Sequence, residues 1–256
     1  MNGLYIGSMG MINYQQHLNV HANNIANAQT IGFKVDQMTS KVYASEKAYR
    51  SDSNGRTPIG TIEHSVVPNA VHVNLVPGSM KVTNSSTDFY LEDAPGQTSF
   101  FVVGKNDTQY LTRNGNFSVN EEGYLQTSGN AYVLDVNGDR IRMETGVDIT
   151  VDTQGKLVNA RTGTVIATLQ TRLVNEEAAN RLERHAFEMF TVQDININEL
   201  PQGTAKVYNY MLENSNTDMT KEMSNLMVNQ RMVQASQRVM QSFDKVYEKE
   251  ANELLK

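Results

Sequence analysis

The chain has 256 residues, a formal charge of −6 at pH 7, 39% hydrophobic residues and neither Cys nor Trp. That length can bury a real core in one or two domains, while the lack of Cys excludes disulfides, thiolate metal sites and a cysteine nucleophile. The acidic balance, with no Lys/Arg cluster anywhere, excludes the electrostatic footprint of a nucleic-acid binder.

The first basic residue is Lys34, and Gly3, Gly7, Gly10, Asn13 and Gln15 interrupt the opening segment. This is not the basic, then apolar, pattern of a cleaved secretory signal, so any export is expected to proceed without one. No stretch approaches the roughly 20 apolar residues of a membrane span, and no membrane insertion is expected. Leu4, Met11, Leu18 and Ile25 recur every seven residues, flanked by Tyr14 and Ala22. That spacing predicts a helix of coiled-coil character, weakened in its first turns by the glycines and stopped near Gly32. From Met1 to Phe33 there is no Lys, Arg, Asp or Glu. A solvated helix normally carries charge, so this uncharged polar face points to packing by other polypeptide.

All five prolines lie between Pro58 and Pro201, which leaves the ends helical and the middle to strands and turns. Residues 1–38 read as an N-terminal helical segment and 39–76 as an extended connector whose main strand signal is Ile59–Val76. Residues 77–205 read as a compact antiparallel β domain. Its strand candidates are Phe100–Val103, Tyr110–Arg113, Phe117–Val119, Tyr124–Thr127 and Tyr132–Leu134. Asn114-Gly115 and Asn137-Gly138 read as tight hairpin turns, with further turns at Gly123, Gly129, Gly155 and Gly163. Asn175–Phe190 suggests a short helix. Residues 206–256 hold neither Gly nor Pro, and Met219, Leu226, Val233, Met240, Tyr247 and Leu254 keep a seven-residue interval. Met223, Met232, Val239, Phe243 and Val246 widen this stripe. Ser215-Asn216-Thr217-Asp218 supplies the start signals of a helix on the order of 55–60 Å long. Such a stripe packs either on its own domain or on an equally long partner, and the N-terminal heptads are the one match for it in the chain. The expected fold is therefore α+β: an antiparallel β-rich centre, with long N- and C-terminal helices pairing as a coiled coil.

The residues that could carry chemistry do not converge on a site. His17 and His21 have the i, i+4 spacing of a zinc pair, but Leu18 stands where a metalloprotease needs Glu and no third ligand is evident. Asp135-Val136-Asn137-Gly138-Asp139 resembles a calcium-loop opening, yet Arg140 and Gly146 occupy the positions that require Gly and Glu; it reads as a hairpin turn. His64, His72 and His185 lie in ordinary contexts, and phosphate-cradling glycine motifs and a Gly-x-Ser-x-Gly elbow are missing. No catalytic residue, metal or cofactor is expected.

Asn23-Asn24-Ile25-Ala26-Asn27-Ala28-Gln29-Thr30-Ile31-Gly32-Phe33-Lys34 resembles the N-terminal signature of the flagellar basal-body rod and hook-basal-body protein family. Leu212-Glu213-Asn214-Ser215-Asn216-Thr217-Asp218, followed by Glu222-Met223, Gln230-Arg231 and Asp244, resembles the family's C-terminal signature. Ser99–Val103, Tyr110–Phe117 and Gly123–Leu125 are similar to its central strands. The resemblance implies a structural, non-enzymatic subunit of the rod, the axial tube that transmits motor torque to the hook. It further implies type III export without a cleaved signal and assembly with copies of itself and with other rod and hook proteins through the terminal helices. The assembly residues so implied are Leu4, Met11, Leu18, Asn24, Ile25, Asn27, Gly32 and Phe33 at one end. At the other they are Ser215, Asn216, Asp218, Met219, Met223, Leu226, Val233 and Met240. The sequence departs from the family at Met232-Val233, at Ser99, at Asp88–Leu91 and around His185. Those departures leave open a proximal-rod, distal-rod or Gram-positive rod/hook-basal-body paralogue. A secreted or surface binding module with a helical stalk is the alternative, and an enzyme would need a polar pocket in the β domain.

Overall fold

The computed structural model describes residues 2–52, 55–143 and 148–254. Gly146 of the calcium-loop comparison, Met1 and residues 255–256 of the terminal segments, and the side chains of His64 and Leu254 lie outside the described residues. The chain divides into two compact units: Met1–Ala26, Asp36–His72 and Asp218–Lys256 form the first, and Asn27–Val35 with Val73–Thr217 the second. The class is α+β.

In the first unit, helix α1 spans Asn2–Ala26, and strands β1 (Asp36–Asp52) and β2 (Gly55–Val73) pair as a two-stranded sheet. The span read as a connector is thus mostly two long paired strands. Pro58 and Pro68 sit inside β2 because a two-stranded sheet leaves each strand one unpaired edge, where a missing N–H costs little. The C-terminal helix, labelled α3 below, spans Met219–Leu254. Its 36 residues give about 54 Å. Asp218 starts it, its carboxylate accepting from Thr220 N at 3.0 Å and Lys221 N at 3.1 Å.

The two long helices pack on each other in antiparallel sense. A Cβ added at Gly3 would lie 2.3 Å from the Phe243 ring, at Gly7 3.1 Å from Met240 Cγ, and at Gly10 3.8 Å from Ser236 Oγ. Of the three glycines that read as helix-weakening, Gly3 and Gly7 therefore sit where α3 leaves too little room for a side chain, whereas Gly10 is at ordinary contact distance. On α3 the half-buried residues are Asn225, Leu226, Asn229, Val233, Ser236, Met240, Phe243 and Tyr247, alternating by three and four from Leu226 onward. That is the spacing of one continuous helix face.

The second unit holds the remaining elements. Its strands are β3 (Met80–Val82), β4 (Phe89–Glu92), β5 (Thr98–Lys105), β6 (Thr108–Thr112), β7 (Phe117–Val119), β8 (Leu125–Thr127), β9 (Tyr132–Val133), β10 (Ile149–Val151), β11 (Lys156–Asn159) and β12 (Val165–Thr168). They continue with β13 (Thr171–Val174), the short helix α2 (Glu176–Ala179), β14 (Leu182–Arg184), β15 (Met189–Val192), β16 (Lys206–Asn209) and β17 (Met211–Glu213). The largest sheet runs β14-β15-β6-β5-β9-β8-β7, with β13 also pairing β5. Every pairing between described strands of this unit is antiparallel.

Strand β5 is buried on both faces. Phe101 and Val103 enter one core with Phe89, Phe117, Leu125 and Leu157. Phe100 and Val102 enter another with Leu111, Phe190 and Leu200. The period of two along the strand divides the Phe-Phe-Val-Val run between the cores. Turns at Gly123, Gly138, Gly155 and Gly163 have positive φ as their positions demand. Asn114-Gly115 differs, because β6 and β7 do not pair with each other. A Cβ at Gly115 would lie 1.9 Å from Phe89 O, so this glycine serves close backbone approach rather than a hairpin. Within Asn175–Phe190 only α2 and one 3-10 turn are helical. Residues 182–184 and 189–190 instead pair as β14 and the start of β15, and in the 3-10 turn between them Phe187 and Glu188 have left-handed φ of 61° and 57°.

Candidate assembly site

The residues of the two terminal signatures meet in two separate clasps, one within each unit. In the second unit Lys34, Arg113, Glu213 and Asp93 form a buried ionic cluster. Lys34 Nζ donates to Glu213 Oε1 at 2.7 Å and to Val76 O at 3.0 Å. The Arg113 guanidinium pairs with the other Glu213 oxygen, with Asp93 at 2.7 Å and with Leu91 O at 2.7 Å. None of the four side chains is more than 3% exposed. Burial pushes the Lys34 ammonium below its ordinary value against the opposing pull of Glu213. Burial alone would raise the Glu213 carboxyl, but Arg113 and then Lys34 hold it below the ordinary carboxylate range.

Backbone and aromatic contacts complete this clasp. Gly32 N donates to Glu213 O at 2.8 Å. Gly32 has φ +70°, and a Cβ there would meet the Arg113 backbone at 2.6 Å, so both conformation and space call for glycine. It lies in this junction, beyond the last residue of α1, and does not itself stop the helix. Asn216 Oδ1 accepts from Val35 N at 2.7 Å, and its amide donates to Asn74 O and Val76 O. The Arg184 guanidinium lies 4.4 Å from the Phe33 ring and 4.8 Å from the Phe190 ring, and donates to Lys34 O. Asn27 O caps a turn by accepting from Thr30 N, and Ser215 Oγ accepts from Thr217 N.

In the first unit the clasp is built mainly from neutral groups. Asn24 is fully buried. Its amide donates to Asp36 O at 2.9 Å and Glu222 Oε2 at 3.1 Å, and its carbonyl accepts from Asp36 N at 3.0 Å. One side chain thereby joins the end of α1, the start of β1 and the first turn of α3. His21 Nδ1 donates to the same Glu222 oxygen at 2.6 Å. Four residues back on α1, His17 Nε2 is 3.0 Å from Ser40 Oγ, which itself donates to Asn13 Oδ1 at 2.9 Å. With the hydroxyl proton committed to Asn13, Ser40 can only accept from His17, which fixes that imidazole as the Nε2–H form. Each ring nitrogen named here already serves a protein contact, and no group of three or more metal-capable side chains occurs among the described residues.

The remaining sequence-named residues lie along the helices. Leu4, Met11, Leu18, Ile25, Leu226, Val233 and Met240 are half-buried, whereas Asp218, Met219 and Met223 are exposed. Sequence reasoning missed Arg113 and Asp93 as clasp members and Glu222 as the partner of Asn24. Arg113 and Glu222 stood inside quoted motifs, but only the fold shows what they meet. A cleft of about 410 Å³ in the β unit is lined by residues that include Asp107, Gln109, Asn196 and Asn198, with Asp107 as the titratable group in that lining. That is not a set of coupled acids and bases.

Residues 4–34 match the family model described as "Flagella basal body rod protein". Residues 96–167 match "Flagellar hook protein FlgE/F/G D1 domain", and residues 208–254 match "Flagellar basal body rod FlgEFG protein C-terminal". Over whole chains, the sequence is 27% identical to the flagellar basal-body rod protein FlgG of Bacillus subtilis, covering 98% of each chain. It is 28% identical to the flagellar basal-body rod protein FlgF of Caulobacter vibrioides, covering 93% of this chain and 92% of that one. It is 27% identical to the flagellar hook-basal body complex protein FlhO of Bacillus subtilis, covering 99% of this chain and 98% of the relative. The three matched regions fall in the family's order, and the first and last carry the residues that close the two clasps; the chain belongs to the flagellar basal-body rod and hook protein family.

Proposed function

We propose that this chain is a structural subunit of the bacterial flagellar basal-body rod, assembling through its terminal helices, paired as a coiled coil, into the tube that transmits motor torque to the hook. The family is structural rather than enzymatic, and its members assemble with other axial proteins of the flagellum. The site of action is the flagellum basal body, and no described helix is long and apolar enough to cross a membrane. In this reading the chain reaches the rod through the flagellar export apparatus and contacts copies of itself as well as other rod and hook proteins. Segments 1–38 and 206–256 are its assembly elements, 77–205 its β domain, and 39–76 the segment that joins them along the chain, folded as the β1–β2 pair.

One observation carries this reading: α3 has a second apolar stripe beside the one facing α1. Met232, Val239 and Val246 repeat every seven residues and are 43%, 47% and 51% exposed. A lone solvated helix face carries charge there, so this stripe calls for a second helix. α1 adds exposed Tyr5, Ile6 and Ile12 on an uncharged helix. Leu4, Met11, Leu18, Ile25, Leu226, Val233 and Met240 then hold the pair within a subunit. Met219 and Met223 extend the outward apolar surface. Asn24, Asn27, Gly32, Phe33, Ser215, Asn216 and Asp218 brace the junctions. Burial of the outer stripe stabilises assembly at roughly 25 cal/mol per Å².

The test is Val239→Asp or Met232→Glu in flagellated cells, with rod completion and motility as readouts. The exported chain should fold, while the rod stays incomplete and the cells non-motile. Rods that complete and support swimming with either variant would sink the proposal.

A further inference from the structure

The first-unit clasp contains two imidazoles on one helix face. The His17 and His21 rings are stacked, with centroids 6.3 Å apart and planes 23° apart. His21 is bonded to Glu222 on α3, and His17 to Ser40 on β1. The hydrogen-bonded contacts Asn13–Ser40–His17 and His21–Glu222–Asn24–Asp36 therefore bring α1, β1 and the start of α3 together along one seam.

We propose that the His17–His21 pair makes the terminal-helix unit a proton-sensitive lock, closed while His17 is neutral and loosened once both imidazoles are charged. Among the described residues of the seam the buried carboxylate is Glu222, which is already shared by His21 and Asn24. A second imidazolium 6.3 Å from the first finds no comparable partner across this contact, because Ser40 and Asn13 are neutral. Other charged groups stand around the seam without replacing Glu222. Asp36 of β1 contributes its backbone to Asn24. Glu63 of β2 lines a cavity with Asn13 and Tyr14. Lys41 follows Ser40 and takes the opposite face of β1. α1 itself carries no Lys, Arg, Asp or Glu.

The sign follows from linkage. Burial first, and the His21 charge second, hold His17 below its ordinary value. A base depressed in the folded state binds fewer protons folded than unfolded. The lock therefore loses stability as pH falls through the unfolded imidazole value of about 6.5.

The experiment uses the full chain, following helix content by circular dichroism at pH 7.5 and 5.5 and each imidazole by ring-proton NMR. The wild type should lose helix reversibly on acidification, and His17 should titrate below the free value. His17→Gln, whose amide nitrogen can give the same bond to Ser40, should keep its helix at both pH values. An unchanged acid loss in His17→Gln, or a uniform weakening at both pH values, would assign His17 a purely structural role and overturn the lock. So would a wild-type His17 that titrates at or above the free imidazole value, which is also what an unfolded N-terminus gives.

Discussion

The two clasps close with different chemistry. In the β unit, Lys34, Arg113, Glu213 and Asp93 are full charges, each at most 3% exposed. In the helix unit the work falls to amides, a hydroxyl and imidazoles around one carboxylate, Glu222. Buried charges cannot exchange partners without stranding one of their number, which costs several kcal/mol. Neutral polar groups exchange at about the net value of a hydrogen bond, roughly 1 kcal/mol. The chain thus sets its β unit in a form that resists repacking and leaves its helices, the assembly elements proposed above, under a softer clasp.

The sharpest way to break the ionic side is Glu213→Gln. Removing one anion strands Lys34 and part of Arg113, and should cost the β unit about 3–5 kcal/mol, read as a lower urea midpoint by tyrosine fluorescence. The same variant tests the pH sign. Because Glu213 is depressed in the folded protein, its contribution is present above the ordinary carboxylate value and is lost as pH falls through the folded one. Wild-type stability should therefore fall on acidification below about pH 4.5, and the Glu213→Gln profile should be flatter. Equal slopes would remove the ionic cluster from the account.

Asn24→Ala attacks the neutral clasp. It leaves the Asp36 N–H and C=O and one Glu222 bond without their partner, so the helix unit should lose about 1–3 kcal/mol. Thermal melting of the helical signal would measure this. A loss as large as that of Glu213→Gln would erase the contrast between the clasps. The smallest expected effect is at Gly3, where alanine gains about 1 kcal/mol of helix propensity but meets Phe243. A net loss of about 1 kcal/mol should result, and Phe243→Ala in the same chain should reverse it. If Gly3→Ala alone raises the melting temperature, close helix approach is not the role of this glycine.

Much of this architecture was legible from local pattern. The heptads predicted both long helices, and the positive-φ glycines at 123, 138, 155 and 163 marked real turns, because helical period and turn geometry are properties of a few adjacent residues. Asn114-Gly115 has the same local form as a hairpin turn, yet Gly115 answers to Phe89 O, a contact no neighbouring residue announces. Gly3 and Gly7 look like helix weaknesses until α3 is laid against them. Pro58 and Pro68 argue against a strand until the partner sheet proves to have just two members. The site was half legible: Gly32, Phe33, Lys34, Glu213 and Asn216 stood in the terminal motifs, but nothing in them said which would meet.

By itself the sequence determined the helical ends, their uncharged and Met-rich faces, and the turn-rich strands between. Each follows from the side-chain period and backbone freedom of a short stretch. Only the tertiary structure decided that Lys34 would find Glu213 across 179 residues and that Arg113 would share it. Only the fold, too, laid Met240 and Phe243 against the glycines of α1 and left Met232, Val239 and Val246 largely exposed. Burial is what selects those outcomes: a charge taken out of water must find its counter-charge wherever the chain delivers one, and a helix with two apolar stripes can hide just one of them in its own fold.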